Sequence, residues 1–345
     1  MLSDRVTLSV DAMGGDFGPR VTLPASLSAL SRYPFLYISL IGDLAELDAL
    51  LKKQTIAPDV LSRLELVSSG ASVSMEDKPS FAIRHRQESS MCLAIKRVAE
   101  KQSDACISAG NTGALMAFGR MILKMHPGVE RPAIISAIPT AKGHSYMLDL
   151  GANVDCSAQQ LLQFAVMGSV IAETVFAKES PAVGLLNIGE EVIKGNEQVR
   201  LANELIKQQG GLNYIGYVEG NDVFSGKADI IVCDGFVGNI VLKSSEGLAR
   251  FIANKVRVSF TKNLYRKFLS LLAAPALRDL QTQLDPSRRN GATFLGLQGI
   301  VVKSHGGANQ VCFEHAIEQA VNEVQQNVPA KIGARLRELL TVSVD

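Results

Sequence analysis

Apolar residues in this chain fall into blocks of two alternating kinds. One kind is short, β-branched and nearly continuous. The other repeats every three to four positions over eight residues or more. The short blocks predict strands at Val6–Val10, Leu36–Ile41, Leu64–Val67, Ala105–Ser108, Ala133–Ile138, Tyr146–Leu150, Ala182–Asn187, Tyr214–Val218 and Ile230–Cys233. The periodic blocks predict helices at Pro19–Ser31, Leu44–Lys53, Ser89–Lys101, Thr112–Met125, Ala158–Phe176, Glu197–Gln208 and Val237–Lys255. Strands without polar alternation are expected where a sheet is covered on both faces. The expected fold class is therefore α/β, a mostly parallel sheet flanked by helices. No repeat, low-complexity linker or shift in composition divides the chain. Residues 1–345 read as a single α/β unit, with room for two subdomains sharing one cleft.

The segments after the strands are more informative than the strands. "DAMGGDFGP", "AGNTGA", "GANVD", "IGEEVIKGNE", "EGNDVFSG" and "DGFVGN" all combine glycine, asparagine and carboxylates. In open α/β sheets ligands sit beyond the carboxyl ends of strands, where glycine lets backbone approach and helix N-termini offer N–H donors. Candidate ligand-binding residues are Asp11, Gly14, Gly15, Asp16, Asn111, Thr112, Gly113, Asp149, Asn153 and Asp234. The first of these turns is not a dinucleotide loop: it lacks G-x-G-x-x-G, and its acids would repel a pyrophosphate. Taken singly, each acid reads better as a helix cap or a loop brace.

Composition narrows the classes. The 345 residues carry a net charge of +1, have no Trp and are 20% charged, so neither charge nor base-stacking aromatics point to nucleic acid. The five cysteines, Cys92, Cys106, Cys156, Cys233 and Cys312, show no C-x-x-C spacing, and no metal site or cofactor is expected. A reducing, cytoplasmic setting fits them. No signal-peptide pattern and no apolar run of membrane-spanning length is seen.

Familiar catalytic signatures are missing: there is no G-x-S-x-G and no H-E-x-x-H. Among the histidines, His305 stands out because "VVKSHGGAN" is another strand-to-glycine-to-helix junction. Lys194, between Gly189 and Gly195, can swing a point charge onto phosphate or remain a solvated surface residue. Lys78, Arg84, His85 and Arg86 form a basic stretch that reads as an exposed loop or an acidic-partner contact. From Phe260 to Leu272 a helical wheel puts Phe260, Leu264, Tyr265, Phe268, Leu269, Leu271 and Leu272 on one half and Lys262, Asn263, Arg266, Lys267 and Ser270 on the other. Such a basic amphipathic segment, within a protruding helical tip at 258–285, suits an anionic membrane surface or packing against protein.

In order along the chain, "VDAMGGDFGP", "SAGNTGALMA", "DLGANVD", "IGEEVIKGNE", "EGNDVF", "DGFVGNIVLKSSEG" and "SHGGAN" resemble the bacterial phosphate acyltransferase family of phospholipid synthesis. The resemblance implies a fold like that of the isocitrate/isopropylmalate dehydrogenases and phosphate acetyltransferase. It also implies a homodimer in the cytoplasm, peripherally attached to membrane. The implied reaction joins an acyl group from acyl carrier protein to inorganic phosphate, and the product feeds a membrane glycerol-3-phosphate acyltransferase. On that reading Lys194 neutralises phosphate, Asn239 donates to phosphate or carbonyl, and His305 orients substrate or protonates the leaving thiolate. Phe260, Leu264, Phe268, Leu271 and Leu272 would meet the membrane. The alternatives are an acyl-CoA-dependent acyltransferase, a metal- and nicotinamide-dependent decarboxylating dehydrogenase, or a non-catalytic scaffold for the carrier protein.

Overall fold

A computed structural model describes residues 5–175, 177–275, 277 and 291–341, without the side chains of Leu264, Lys267 and residues 339–341. In chain order its elements are β1 (Val6–Asp11), α1 (Pro19–Arg32), β2 (Leu36–Gly42), α2 (Leu44–Leu51), α3 (Pro58–Leu61), β3 (Leu64–Ser68), α4 (Pro79–His85), α5 (Ser90–Ala99), β4 (Ala105–Ser108) and α6 (Thr112–Ile122). There follow β5 (Ala133–Thr140), β6 (Gly143–Leu148), α7 (Ala158–Thr174), β7 (Val183–Leu186), α8 (Glu197–Gln209), β8 (Tyr214–Val218), β9 (Ile230–Val232) and α9 (Gly235–Thr261). The last are α10 (Leu264–Leu272), β10 (Ala292–Leu295), β11 (Ile300–Lys303), α12 (Gln310–Gln325) and α13 (Val328–Thr341). All nine predicted strands are present, with boundaries shifted by a few residues. β10, β11, α3, α4, α12 and α13 are further elements that the pattern did not predict. The predicted end of α7 at Phe176, and residues 278–285 of the predicted tip, lie outside the described residues.

The strands form one 11-stranded sheet in the order β3-β2-β1-β4-β11-β10-β5-β6-β9-β7-β8. β3, β2, β1, β4 and β11 run parallel, as do β6, β9, β7 and β8. Antiparallel pairings of β10 with β11 and β5, and of β5 with β6, reverse the direction between the two groups. The carboxyl ends of the two parallel groups therefore leave opposite edges of the sheet.

Alternation along each strand divides the core. Val6, Leu8 and Val10 of β1, with Ile300 and Val302 of β11, face one side and meet Leu23, Leu30, Phe313 and Ile317 of α1 and α12. Tyr146 and Leu148 of β6, with Ile230 and Val232 of β9, continue that side under α7, α8 and α13. Cys106, Val301, Ile134, Met147 and Ile231 face the other side, under α5, α6 and the start of α9. Each fully buried Leu, Ile, Val or Phe contributes roughly 1.5–3 kcal/mol, so two-sided burial outweighs the modest β propensity of these short strands.

The amphipathic stretch is not one helix. α9 ends at Thr261, and the Asn263 side chain accepts the Arg266 N–H at 2.9 Å to start α10 anew. The asparagine placed on the polar side of a single wheel is instead an N-cap. Beyond the break, Tyr265, Phe268, Leu269, Leu271 and Leu272 are exposed, whereas Phe260 is half-buried at the end of α9; the Leu264 side chain lies outside the description. Among the described residues no helix is long and apolar enough to cross a membrane.

Candidate active site

At the carboxyl end of β1 the buried Asp11 carboxylate accepts the Ser90 hydroxyl at 2.5 Å and the Ser108 hydroxyl at 2.6 Å. It also takes backbone N–H groups of Met13 and Gly14. Burial raises its pKa and these four bonds oppose the rise. Asp11 is thus a brace for the turn. Gly14 and Gly15 are wedged beneath neighbouring loops: a Cβ at Gly14 would stand 2.7 Å from the Gly110 nitrogen. One at Gly15, where φ is +85°, would stand 2.8 Å from the Gly306 oxygen. Only glycine lets the three loops meet this closely.

The β4 loop is held by Asn111. Its Oδ1 caps α6 through the Ala114 N–H at 3.0 Å, and its Nδ2 donates to the carbonyls of Ser74, Met75 and Asp77. The cap leaves the Thr112 and Gly113 N–H groups of the first turn to other partners. The β11 loop brings His305, whose Nδ1 accepts the Gly307 N–H at 3.1 Å. That bond places the imidazole proton on Nε2. Burial and the nearby Lys243 charge lower its pKa, so the ring is neutral near pH 7. Asp16 stands beside it, its N–H bonded to the Gly306 carbonyl at 2.9 Å.

One functional group here was not anticipated. Lys303, the last residue of β11, is 9% exposed; its ammonium donates to the carbonyls of Ala109, at 3.2 Å, and Ser304. Burial pulls its pKa down to about 8, with Asp11 opposing and Lys243 adding to the pull. The signal was a lysine inside the apolar run "IVVKS", where a solvated lysine does not belong.

The opposite edge carries a second group. Asp149 accepts the N–H groups of Ile134, Ala152 and Asn153 and the Asn153 side chain, at 2.7–3.1 Å. Asn153 also donates to the Pro132 carbonyl at 2.8 Å. Asp234 caps α9 through the Val237 N–H at 2.8 Å. These residues seat the start of α9 against the sheet. Asn239 lies over Gly151 on that helix. One turn further on, Lys243, and then Glu246, reach the His305 side electrostatically. α9 thus links the two edges along the stripe Asn239, Lys243, Glu246.

Lys194 lies on the loop between β7 and α8. It is nearly half exposed, pairs with Glu191 at 2.8 Å, and has its pKa raised by that partner. Asn187 closes its loop by donating to the carbonyls of Gly189 and Lys194. The basic stretch forms α4, where Arg86 pairs with Asp77 at 3.7 Å beside a pocket of about 330 Å³ also lined by Arg84 and His85. The thiols of Cys92, Cys106, Cys156 and Cys233 are all pushed up by burial, that of Cys156 to about 12, so none of the four is a ready thiolate.

The architecture places the chain among α/β proteins built like the phosphotransacetylases. It superposes on a phosphotransacetylase from Streptococcus pyogenes with a TM-score of 0.64 at 15% identity, covering 94% of this chain and 95% of that one. With the EutD phosphotransacetylase from Staphylococcus aureus the TM-score is 0.60 at 16% identity, covering 96% of each. In sequence, the family described as "Fatty acid synthesis protein" matches residues 6–331. A phosphate acyltransferase from Pseudomonas savastanoi is 52% identical over 333 residues, 96% of this chain and 97% of its own. One from Shewanella loihica is 49% identical over 337 residues, 97% and 98% of the two chains. The chain belongs to the phosphate acyltransferase family, as its motifs led one to expect, and is an enzyme.

Proposed function

We propose that the enzyme transfers an acyl group from the thioester of acyl carrier protein to inorganic phosphate, releasing acyl phosphate and the free carrier. A phosphate oxygen attacks the thioester carbonyl, the C–O bond forms, the C–S bond breaks, and the thiolate takes a proton. The observation that carries this reading is the β1–β4–β11 edge, where a neutral imidazole with its proton on Nε2 stands beside glycine turns and a buried ammonium. Because phosphate is itself the nucleophile, the raised thiols and the missing triad are no obstacle.

In this scheme His305 protonates the leaving thiolate. The N–H groups of Gly15, Thr112 and Gly113 are the backbone donors, since Gly14 is engaged with Asp11. Asn239 approaches the donor from α9. Lys194, paired with Glu191, serves the incoming substrate through charge. The reaction uses neither metal nor cofactor. Incubation with long-chain acyl carrier protein, with and without inorganic phosphate, is expected to yield acyl phosphate and free carrier thiol by mass spectrometry only when phosphate is present. No product from folded protein would sink the reading. Product from acyl-CoA alone would change the donor, and reduction of NAD would move the assignment to a dehydrogenase.

The product is an activated lipid precursor, to be consumed by a membrane glycerol-3-phosphate acyltransferase. We place the enzyme in the cytoplasm as a homodimer, with the exposed Leu248, Phe251 and Ile252 of α9 meeting a second copy. α10 is proposed to lie in the anionic membrane interface, its exposed Phe268, Leu271 and Leu272 inserted and Lys262 and Arg266 over the headgroups. Leu271→Glu should weaken sedimentation with anionic vesicles about tenfold, the cost of charging one buried leucine position. Unaltered sedimentation would remove α10 from the membrane.

A further inference from the structure

We propose that Lys303 is the base of an oxyanion subsite at the carboxyl ends of β1, β4 and β11, and that the inorganic phosphate substrate occupies it. The proposal rests on the acyl-transfer reading and adds the place and polarity of phosphate.

Lys303 is a buried cation whose hydrogen-bond partners are neutral carbonyls, and no carboxylate of the described residues lies within ion-pair distance of it. A buried charge without a counter-charge is costly, and a bound anion supplies what the fold withholds. The nearest acid, Asp11 on β1, is saturated by two hydroxyls and two N–H groups. Around Lys303 stand Asp16 from the β1–α1 turn, His305 beyond β11, and Lys243 with its partner Glu246 on α9. Three helices, α1, α6 and α12, also begin at this edge, and α1 has no side-chain cap. Their N-terminal dipoles add to the attraction of an anion. Phosphate held here would lie beside the Nε2 proton of His305. At Lys194 it would instead meet a cation already paired with Glu191.

Inorganic phosphate binding, read by calorimetry without thioester, tests this directly. Lys303→Met should weaken binding at least tenfold, and Lys303→Arg should restore most of it. Lys207→Ala, at an exposed lysine of α8 paired with Glu204, should stay within about twofold. In turnover, Lys303→Met should raise KM for phosphate with KM for the carrier thioester unchanged. Wild-type kcat/KM for phosphate should fall as pH rises through about 8, because the ammonium is present below that value and lost above it. Full phosphate affinity in Lys303→Met, or its loss in Lys194→Ala instead, would overturn the proposal. If Lys303→Met does not fold, Lys243→Ala on the exposed helix should weaken phosphate about threefold. Wild-type affinity in that variant, with no fall between pH 7.5 and 9.5 in wild type, would equally overturn it. A wild-type protein that binds phosphate yet forms no acyl phosphate would refute the acyl-transfer reading and leave the subsite standing.

Discussion

Gly238→Ala should lose on the order of 4 kcal/mol of stability, enough to leave little folded protein at 37 °C. A Cβ at this position would stand 1.9 Å from the Asp149 carbonyl oxygen and 2.9 Å from the Cys233 sulfur. The first neighbour is backbone, fixed because the Asp149 side chain binds three N–H groups and one amide. It cannot retreat without orphaning donors that each cost about 1–3 kcal/mol when buried and unpaired. α9 would have to lift off the sheet, carrying Asn239 and Lys243 with it. Gly247→Ala is the control. It lies in the same helix with nothing within 4 Å of its would-be Cβ. Helix propensity there favours alanine by about 0.5–1 kcal/mol. Thermal melts of the two variants should therefore move in opposite directions from wild type. A Gly238→Ala protein that melts with wild type would mean that α9 does not dock as described.

The contrast between those two glycines shows what a sequence conveys and what it does not. Both sit in one apolar-periodic run, and nothing local separates them. The distinction comes from Asp149, which is 89 residues away in the chain. Strands and most helices were legible because their burial is written in local pattern: β4 and β9 read as nearly continuous apolar blocks and are buried on both faces. β10 was not legible. Four residues between Gly291 and Gly296 carry little periodicity, and what makes them a strand is antiparallel pairing to β5 and β11. That reversal also set the limits on reading the site. The six glycine-rich connections suggested one polar cleft; they follow two groups of strands that run in opposite directions, which no local pattern records. α9 joins the groups through Lys243, which lies within the quoted "DGFVGNIVLKSSEG" but was given no role.

Asp11, Asp149 and Asp234 brace or cap backbone, as their single-residue reading favoured. Lys194 was prominent because flanking glycines are visible in a string of letters. Lys303 was not singled out because what sets it apart is its burial, and burial of a charge is a property apolar neighbours disguise.

A last expectation concerns pH and lies under the same strand. Glu323 of α12 is fully buried; it accepts the Thr293 hydroxyl from β10 and the Gln319 amide at 2.7 Å, and its other oxygen has no partner among the described residues. Burial raises its pKa to about 7 from an ordinary 4.5, against the two hydrogen bonds. Below pH 4.5 folded and unfolded chains both hold the proton, and the raised value is without cost. Between 4.5 and about 7 the folded chain retains a proton that the unfolded chain has released, so stability declines with rising pH. The gap amounts to about 3 kcal/mol, all of it lost by pH 8. Glu323→Gln keeps an acceptor for Thr293 and Gln319 and removes the titration. Urea unfolding of both proteins at pH 4.5 and pH 8 should show the variant gaining about 2–3 kcal/mol on wild type as pH rises. Parallel behaviour would mean that Glu323 does not titrate in this range. The consequence reaches the site because β10 pairs directly with β11, placing Ala292 opposite Lys303. A carboxylate that ionises behind β10 loosens the strand that carries the buried ammonium. Rising pH is therefore expected to weaken the β11 end by charging Glu323, whereas loss of the Lys303 proton above about 8 relieves a buried charge and opposes that weakening.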